Sequence, residues 1–360
     1  MKHYLVIVLA ALSVAGLKAG NPTRSGSAGA TELLINPWTR TIGWNSLNTA
    51  NVSGVESFNM NIGGLTKINS TDVTLCRTNY MNNVGININA FGLGQKIGGS
   101  SYLGISMVSF NFGDIMRTTT DNPDGGIGTF SPRFNNISVG YAYAFSNAIS
   151  CGIVVRGISE SIADVNAQGA SLDAGVQYTT KSKKDNGLKG EDVHFGISLR
   201  NVGPDMWFKG DGLARRVTDD DGIQRTMLAR SATFQLPSLV NIGASYDIKL
   251  DKDPLMYHNK LVLAANFTAN SFSNNQIGLG MEYGYKKILQ LRGAFNYEKD
   301  IFNENTQTAF TGFAGGASIN VPLKKDSENI LSLDYAYRDS RVLGGTHSFG
   351  VRISLEGNKK

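Results

Sequence analysis

Every second residue is apolar over long stretches of this chain. Ile137, Val139, Tyr141, Tyr143 and Phe145 alternate with Ser138, Gly140, Ala142 and Ala144. The same two-residue period runs through Val193–Leu199, Ile277–Tyr285, Leu331–Tyr337 and Phe349–Leu355. Side chains of a strand alternate between its faces, so each segment offers one apolar face and one small or polar face. The second face is the informative one. It carries Gly, Ser and Asn with an occasional Arg, Glu or Asp, and Gly reaches 42 of 360 residues, well above the usual share of about 7%. A soluble sandwich would set long charged residues opposite its apolar stripe. Here the stripes end in Tyr and Phe, as in a barrel that turns apolar residues to lipid, aromatics to the interfaces and small polar groups to its lumen. Closing such a sheet also leaves no unpaired backbone edge in hydrocarbon. The expected fold class is therefore all-β, a transmembrane antiparallel β-barrel.

Strands are expected near 71–80, 84–92, 101–112, 134–145, 149–159, 170–181 and 192–202. A second set is expected near 238–249, 258–270, 275–286, 289–299, 308–321, 329–339 and 343–355. Fourteen is an even number, as single-chain bacterial barrels require, and most segments have the roughly 9–11 residues needed to cross at a tilt. If the first strand leaves the periplasm, Ser146-Asn147-Ala148, Lys287-Ile288 and 322–328 are short periplasmic turns. The two long connections, Gly113–Arg133 and Gly203–Pro237, then face the cell exterior. No later segment is apolar for the length a membrane helix needs.

The N-terminus reads as an export signal: Lys2 and His3, then an apolar run from Tyr4 to Leu17, then the small residue Ala19. The expected organisation is a signal peptide at 1–19, an N-terminal plug or hatch segment at 20–65 and a barrel at 66–360. The segment 20–65 has no strand period, yet Leu33, Leu34, Ile35, Trp38, Ile42 and Trp44 make it too apolar for a solvated tail. A place inside the lumen accommodates it, with Trp38, Trp44, Asn61 and Leu65 as plug residues.

Chemistry is sparse. Beyond the leader the histidines are His194, His258 and His347. His347 adjoins Ser348, but strand neighbours point to opposite faces and cannot cooperate. His194 falls on the polar face as a lumenal hydrogen-bonder. Glu160 and Asp164 are expected as solvated carboxylates of an outer loop. Asp219-Asp220-Asp221-Gly222 lacks the alternating ligand spacing and closing Glu of a calcium loop. Cys76 and Cys151 fall on strands that are not neighbours, which disfavours a disulfide. Arg215-Arg216 and Lys181, Lys183 and Lys184 read as solvated turns. No catalytic residue, cofactor or metal is expected, and no nucleic-acid partner follows from a formal charge of +5.

Several blocks in fixed order resemble the PorV/PorQ family of outer-membrane proteins, which belong with FadL-like barrels. They begin with Gly29-Ala30-Thr31-Glu32-Leu33-Leu34-Ile35-Asn36-Pro37-Trp38-Thr39-Arg40 and Gly54-Val55-Glu56-Ser57. Phe112-Gly113-Asp114, Gly128-Thr129-Phe130-Ser131-Pro132 and Arg200-Asn201-Val202-Gly203-Pro204 follow. Gly210-Asp211-Gly212-Leu213, Phe234-Gln235-Leu236-Pro237-Ser238, Asn266-Phe267-Thr268-Ala269-Asn270-Ser271-Phe272 and Gly345-Thr346-His347-Ser348-Phe349 complete the series. Where the family has Asn-Pro-Ala-Gly-Leu, this chain has Asn61-Ile62-Gly63-Gly64-Leu65.

The resemblance implies a fourteen-strand barrel in the outer membrane of a Bacteroidota-type bacterium. It also implies a non-enzymatic role in type IX secretion, as a shuttle or attachment-complex component for secreted cargo with C-terminal β-domains. Met206, Trp207, Phe208 and Phe234 are then the expected exposed anchors for a protein partner. The alternative is a FadL-like transporter of hydrophobic small molecules. Outer-membrane lipid is a partner under both.

Overall fold

The computed structural model describes residues 22–357, apart from 83, 182–191, 219–220, 252–257, 304–305, 307 and 324–328. The expected leader at 1–19, Lys183, Lys184, Asp219, Asp220 and most of the turn at 322–328 lie outside the described residues.

The strands are β1 (Thr71–Tyr80), β2 (Ile86–Lys96), β3 (Ser101–Asn111), β4 (Arg133–Ala144), β5 (Ile149–Ile162), β6 (Val165–Lys181) and β7 (Asp192–Val202). They continue as β8 (Leu239–Lys249), β9 (Asn259–Asn270), β10 (Gln276–Tyr285), β11 (Leu289–Glu298), β12 (Phe310–Pro322), β13 (Ile330–Ser340) and β14 (Thr346–Leu355). Each pairs antiparallel with its chain neighbours, and β1 closes the ring on β14 from Thr71↔Leu355 to Asn79↔His347. All fourteen expected strands are present.

The barrel is an inside-out protein. Ile137 on β4, Ile197 on β7, Leu279 on β10 and Phe349 on β14 each expose more than half of their surface, while Ser138, Ser198 and Ser348 on the alternate positions are buried. The stripes are bounded by aromatic girdles. Tyr143 and Phe145 pair edge-on at 4.9 Å at the short-turn end, and Tyr335 and Phe349 approach to 5.2 Å towards the other. Water cannot satisfy backbone groups in hydrocarbon, so the antiparallel ladders do it.

Three strands differ notably from expectation. β5 and β6 run on to a two-residue turn at Ala163-Asp164, with Ala163 at φ 49°. Glu160 is therefore not a solvated loop carboxylate but a buried group on the inner face of β5. The hairpin carries Ser159, Asn166 and Gln168 on its outer side, so the apolar stripe that marks a strand in lipid is missing there. β2 likewise runs on to Lys96, through Gly92 and Gly94, where the inner face has no side chain at all.

Residues 30–68 fill the lumen with one short helix, α1 (Thr39–Gly43), and single 3-10 turns at Thr31–Leu34, Gly54–Asn59 and Ile62–Lys67. They enter at the long-loop end, where Gly29 N donates to Gln235 O at 3.1 Å, and leave at the opposite end into β1. Glycines on the inner face receive this segment. A Cβ at Gly140 would lie 2.8 Å from the Phe58 ring, one at Gly280 would lie 2.9 Å from Trp44, and one at Gly94 2.9 Å from Leu65. The glycine excess is thus largely a matter of room for the plug. Gly140→Val is expected to cost about 1–3 kcal/mol through overpacking, read as a lower unfolding midpoint for the detergent-solubilised barrel.

Candidate functional site

The lumenal segment is held by polar contacts that match the polar inner wall. Trp38 Nε1 donates to Asn59 Oδ1 at 3.0 Å and Trp44 Nε1 to Glu282 on β10 at 3.2 Å. The Asn61 amide donates to Val176 O on β6 at 2.9 Å and to Thr49 O at 3.1 Å, while its Oδ1 caps Gly63 N. Leu65 is fully buried in an apolar cluster with Trp38, Val55, Phe58, Ile88 and Phe110. Thr39 Oγ1 lies 2.8 Å from Ser348 Oγ on β14, which lies 2.7 Å from Thr78 Oγ1 on β1. Gln177 on β6 donates to Val52 O at 3.1 Å. Trp38, Trp44, Asn61 and Leu65 therefore all sit between plug and wall.

Two arginines of the lumen are paired. Arg156 on β5 meets Asp173 on β6 at 2.9 Å, and also donates to Phe58 O at 3.1 Å. Arg292 on β11 meets Glu282 at 2.9 Å and donates to Ser318 on β12 at 2.8 Å. A β-bulge between β6 and β7 puts Asn201 at φ 59°, where its N–H reaches Asp173 Oδ1 at 2.6 Å and its side chain reaches Pro237 O at 3.0 Å. Within the plug, Glu56 accepts from Thr41 Oγ1 at 2.9 Å, and burial pushes its carboxyl above the ordinary range. Burial, then the facing Glu160 carboxylate, pushes Glu32 up to about 8.

The long loop at 203–238 closes over the mouth, and this revises the expected partner anchors. Met206 is fully buried, pairing through its backbone with Phe234 at 2.9 and 2.8 Å. Phe208 and Phe234 approach to 5.6 Å and pack with Met206 on Ala30, Leu33, Ile158 and Leu236. Three of the four anchors thus form a lid on the start of the plug, because the plug itself offers them an apolar surface to bury. Trp207 alone is exposed, at 54%. Beyond the lid, Ala214–Thr218 and Gln224–Leu228 form a hairpin whose residues are all exposed, including Val217, Met227 and Leu228. The sequence pattern did not single this hairpin out.

The ladder between β11 and β12 stops short. β11 and β12 pair from Leu289↔Ile319 only as far as Phe295↔Phe313, so Asn296, Tyr297 and Glu298 have no ladder partner on β12. β12 bulges at the same height against β13, between Phe310 and Ala314, with Gly312 at φ 93°. From inside, Asn45 at φ 49° donates to Gly312 O at 2.7 Å. On the lipid side, Phe295, Phe302 and Phe313 form a cluster, with ring separations of 6.1 and 4.6 Å about Phe295. Two grooves lie elsewhere. One of about 300 Å³ at the rim of β7 and β8 is lined by Arg24, Val202, Leu236, Leu239 and Phe272. The other, about 480 Å³, faces lipid across β14 and β1–β3 between Leu75, Phe91, Met107 and Phe349.

The remaining candidates have structural partners. His194 bridges Thr179 Oγ1 at 3.0 Å and Asp247 at 3.1 Å, and Lys260 adds to Asp247 at 2.8 Å. His347 faces outward against Tyr335 OH at 2.9 Å while Ser348 faces inward, so the two sit on opposite faces. Cys76 and Cys151 are both free.

No family model matches this sequence, and no curated protein does either. Among solved structures, the fold is similar to the CymD monoaromatic hydrocarbon channel, with a TM-score of 0.52 and 10% identity over 90% of this chain and 99% of that one. It is similar to the P. putida toluene transporter TodX at 0.51 and 10% identity, over 91% and 99% of the two chains. It is also similar to the Ralstonia pickettii toluene transporter TbuX at 0.50 and 11%, over 89% and 97%. At such identity the likeness concerns the fold alone, a closed antiparallel barrel.

Asp173→Asn leaves Arg156 buried without its counter-charge. A loss of about 3–5 kcal/mol is expected, measured by urea unfolding of the barrel in lipid vesicles.

Proposed function

We propose that this protein is a non-enzymatic outer-membrane barrel that passes small hydrophobic molecules from the cell exterior sideways into the bilayer. The seam between β11 and β12 supports this most directly. It is a stretch of three wall residues, about 10 Å of strand, without ladder bonds on one side. Hydrocarbon tolerates such a gap only where protein covers it, and Asn45 with Ile301 does so from within. A plugged lumen blocks a straight aqueous route, whereas an apolar solute gains by leaving through the wall. The rim groove of about 300 Å³ mixes Arg24 with apolar residues and has the size of a small-ligand site. Three solved barrels of similar fold are by name a monoaromatic hydrocarbon channel and two toluene transporters.

Removing the Asn45 latch deletes one hydrogen bond of about 1 kcal/mol. If opening limits passage, Asn45→Ala raises the open population about fivefold. Uptake of toluene by vesicles containing the variant is expected to rise accordingly. Unchanged uptake, with the barrel still folded, would sink the seam as the exit, and no uptake above empty vesicles by the wild-type barrel would sink the transport reading.

A second reading is favoured by one observation. The exposed hairpin Ala214–Thr218/Gln224–Leu228 presents Val217, Ile223, Met227 and Leu228 to solvent at the long-loop end. Such a surface suits a protein partner, and the PorV/PorQ resemblance makes secreted type IX cargo or the attachment machinery the candidate. Excising 214–228 while retaining Met206 and Phe234 preserves the lid. Under this reading, co-purification of cargo from solubilised membranes is lost and toluene uptake is unaffected.

A further inference from the structure

The outward face of the barrel is not the same all round. On β10 it runs Ile277, Leu279, Met281, Tyr283 and Tyr285 without interruption. On β1 to β6 it turns polar towards the long-loop end. One row there consists of Arg77, Asn89, Ser109, Asn135, Ser159 and Gln168, each the cross-strand partner of the next. The row above it is also polar throughout and contains Arg133. The apolar band beneath is correspondingly narrow. On the outer face of β2, Phe91 and Leu93 alone separate Asn89 from Gln95. That is about 20 Å of strand, or about 15 Å of height at a tilt of roughly 40°, against roughly 25 Å for an outer-membrane barrel.

The lipid-facing groove of about 480 Å³ lies directly below this row. Arg77, Asn89 and Ser109 line its upper edge, with Leu75, Phe91, Met107 and Val351 beneath them and Phe349 beside Arg77. It is therefore amphipathic from top to bottom, and its volume is that of a small-ligand site. Among the described residues Arg77 has no acidic partner, and neither polar row contains a carboxylate. A cation at the edge of hydrocarbon is costly without a counter-charge, and a phosphate supplies one with good geometry for a guanidinium. The amides and hydroxyls flanking Arg77 both donate and accept, as sugar hydroxyls do. A protein partner would look for aromatic anchors, and the two rows hold none.

We propose that the outer face of β14 and β1–β3 is a binding site for one phosphorylated glycolipid of the surrounding leaflet. An acyl chain lies in the groove over Phe91 and Met107, the phosphate meets Arg77, and Asn89 and Ser109 bond the sugar. The narrow apolar band lets the headgroup sit deeper here than elsewhere round the barrel. Lipid held in this way is independent of what the lumen or the seam passes, so the site stands or falls apart from the transport reading.

The test uses the whole barrel, delipidated in detergent, titrated with diphosphoryl lipid A and read by native mass spectrometry. One lipid A per chain is expected to stay bound after activation, and phosphatidylethanolamine to dissociate. Arg77→Gln should weaken retention about tenfold or more. Ser109→Trp, which fills the groove and leaves Arg77 in place, should do the same, and it serves alone should Arg77→Gln fail to fold. Arg215→Gln, in the exposed hairpin of the long loop, should leave retention unchanged. Equal retention of phosphatidylethanolamine overturns the proposal, as does lipid A binding that ignores both Arg77→Gln and Ser109→Trp. Displacement of the lipid by inorganic phosphate at equal concentration also overturns it, because the groove would then contribute nothing. So does a crosslink from Asn89→Cys to another protein in intact membranes, which would give this face to a protein partner.

Discussion

Hydrocarbon offers no hydrogen bonds, and the architecture of this barrel follows from that one deficiency. A strand that crosses the bilayer must find its backbone partners in other strands, and the ring must close, which β1 and β14 accomplish over nine residue pairs. Closure turns every second side chain inward. The apolar stripes go to lipid, so the polar residues that would coat a soluble protein are gathered in the middle. A lumen lined with Arg156, Asp173, Glu282, Arg292 and Asp334 cannot simply be packed with oil.

The lumenal segment solves this by being mixed. Its apolar side chains form a small core with inner-face residues such as Ile88 and Phe110. Its backbone and amides meet the polar wall, as when Asn61 reaches a strand carbonyl or Phe58 O accepts from Arg156. Glycine lets backbone and ring approach at the points of closest contact, and at Gly140 and Gly280 any larger residue would meet an aromatic ring. At the β11–β12 seam, the Asn45 amide of the plug donates to Gly312 O on β12.

Period two made the strands legible, because lipid contact demands an apolar residue at each outward position between the girdles. It failed where that demand lapses. The upper parts of β5 and β6 are polar on both faces, so Glu160 read as a loop residue when it is buried. Met206 and Phe234 looked like exposed anchors because loop apolars serve partners and lids alike; only the position of Ala30 and Leu33 beneath them decides which. The inner-face glycines were visible as periodic, but their purpose depends on Phe58, Trp44 and Leu65 lying opposite, far away in sequence. The Asn45 latch and the facing Glu32 and Glu160 had no local signal, since each joins a plug residue to a strand over a hundred positions away.

The hydroxyl chain from Thr39 through Ser348 to Thr78 joins the plug to the last strand and the first at once. The segment runs the length of the lumen with both of its tryptophans fully buried. Seating the plug and sealing the ring are therefore joined in one place: the hydroxyl of Ser348 that reaches across to Thr78 on the first strand is the same one that holds Thr39.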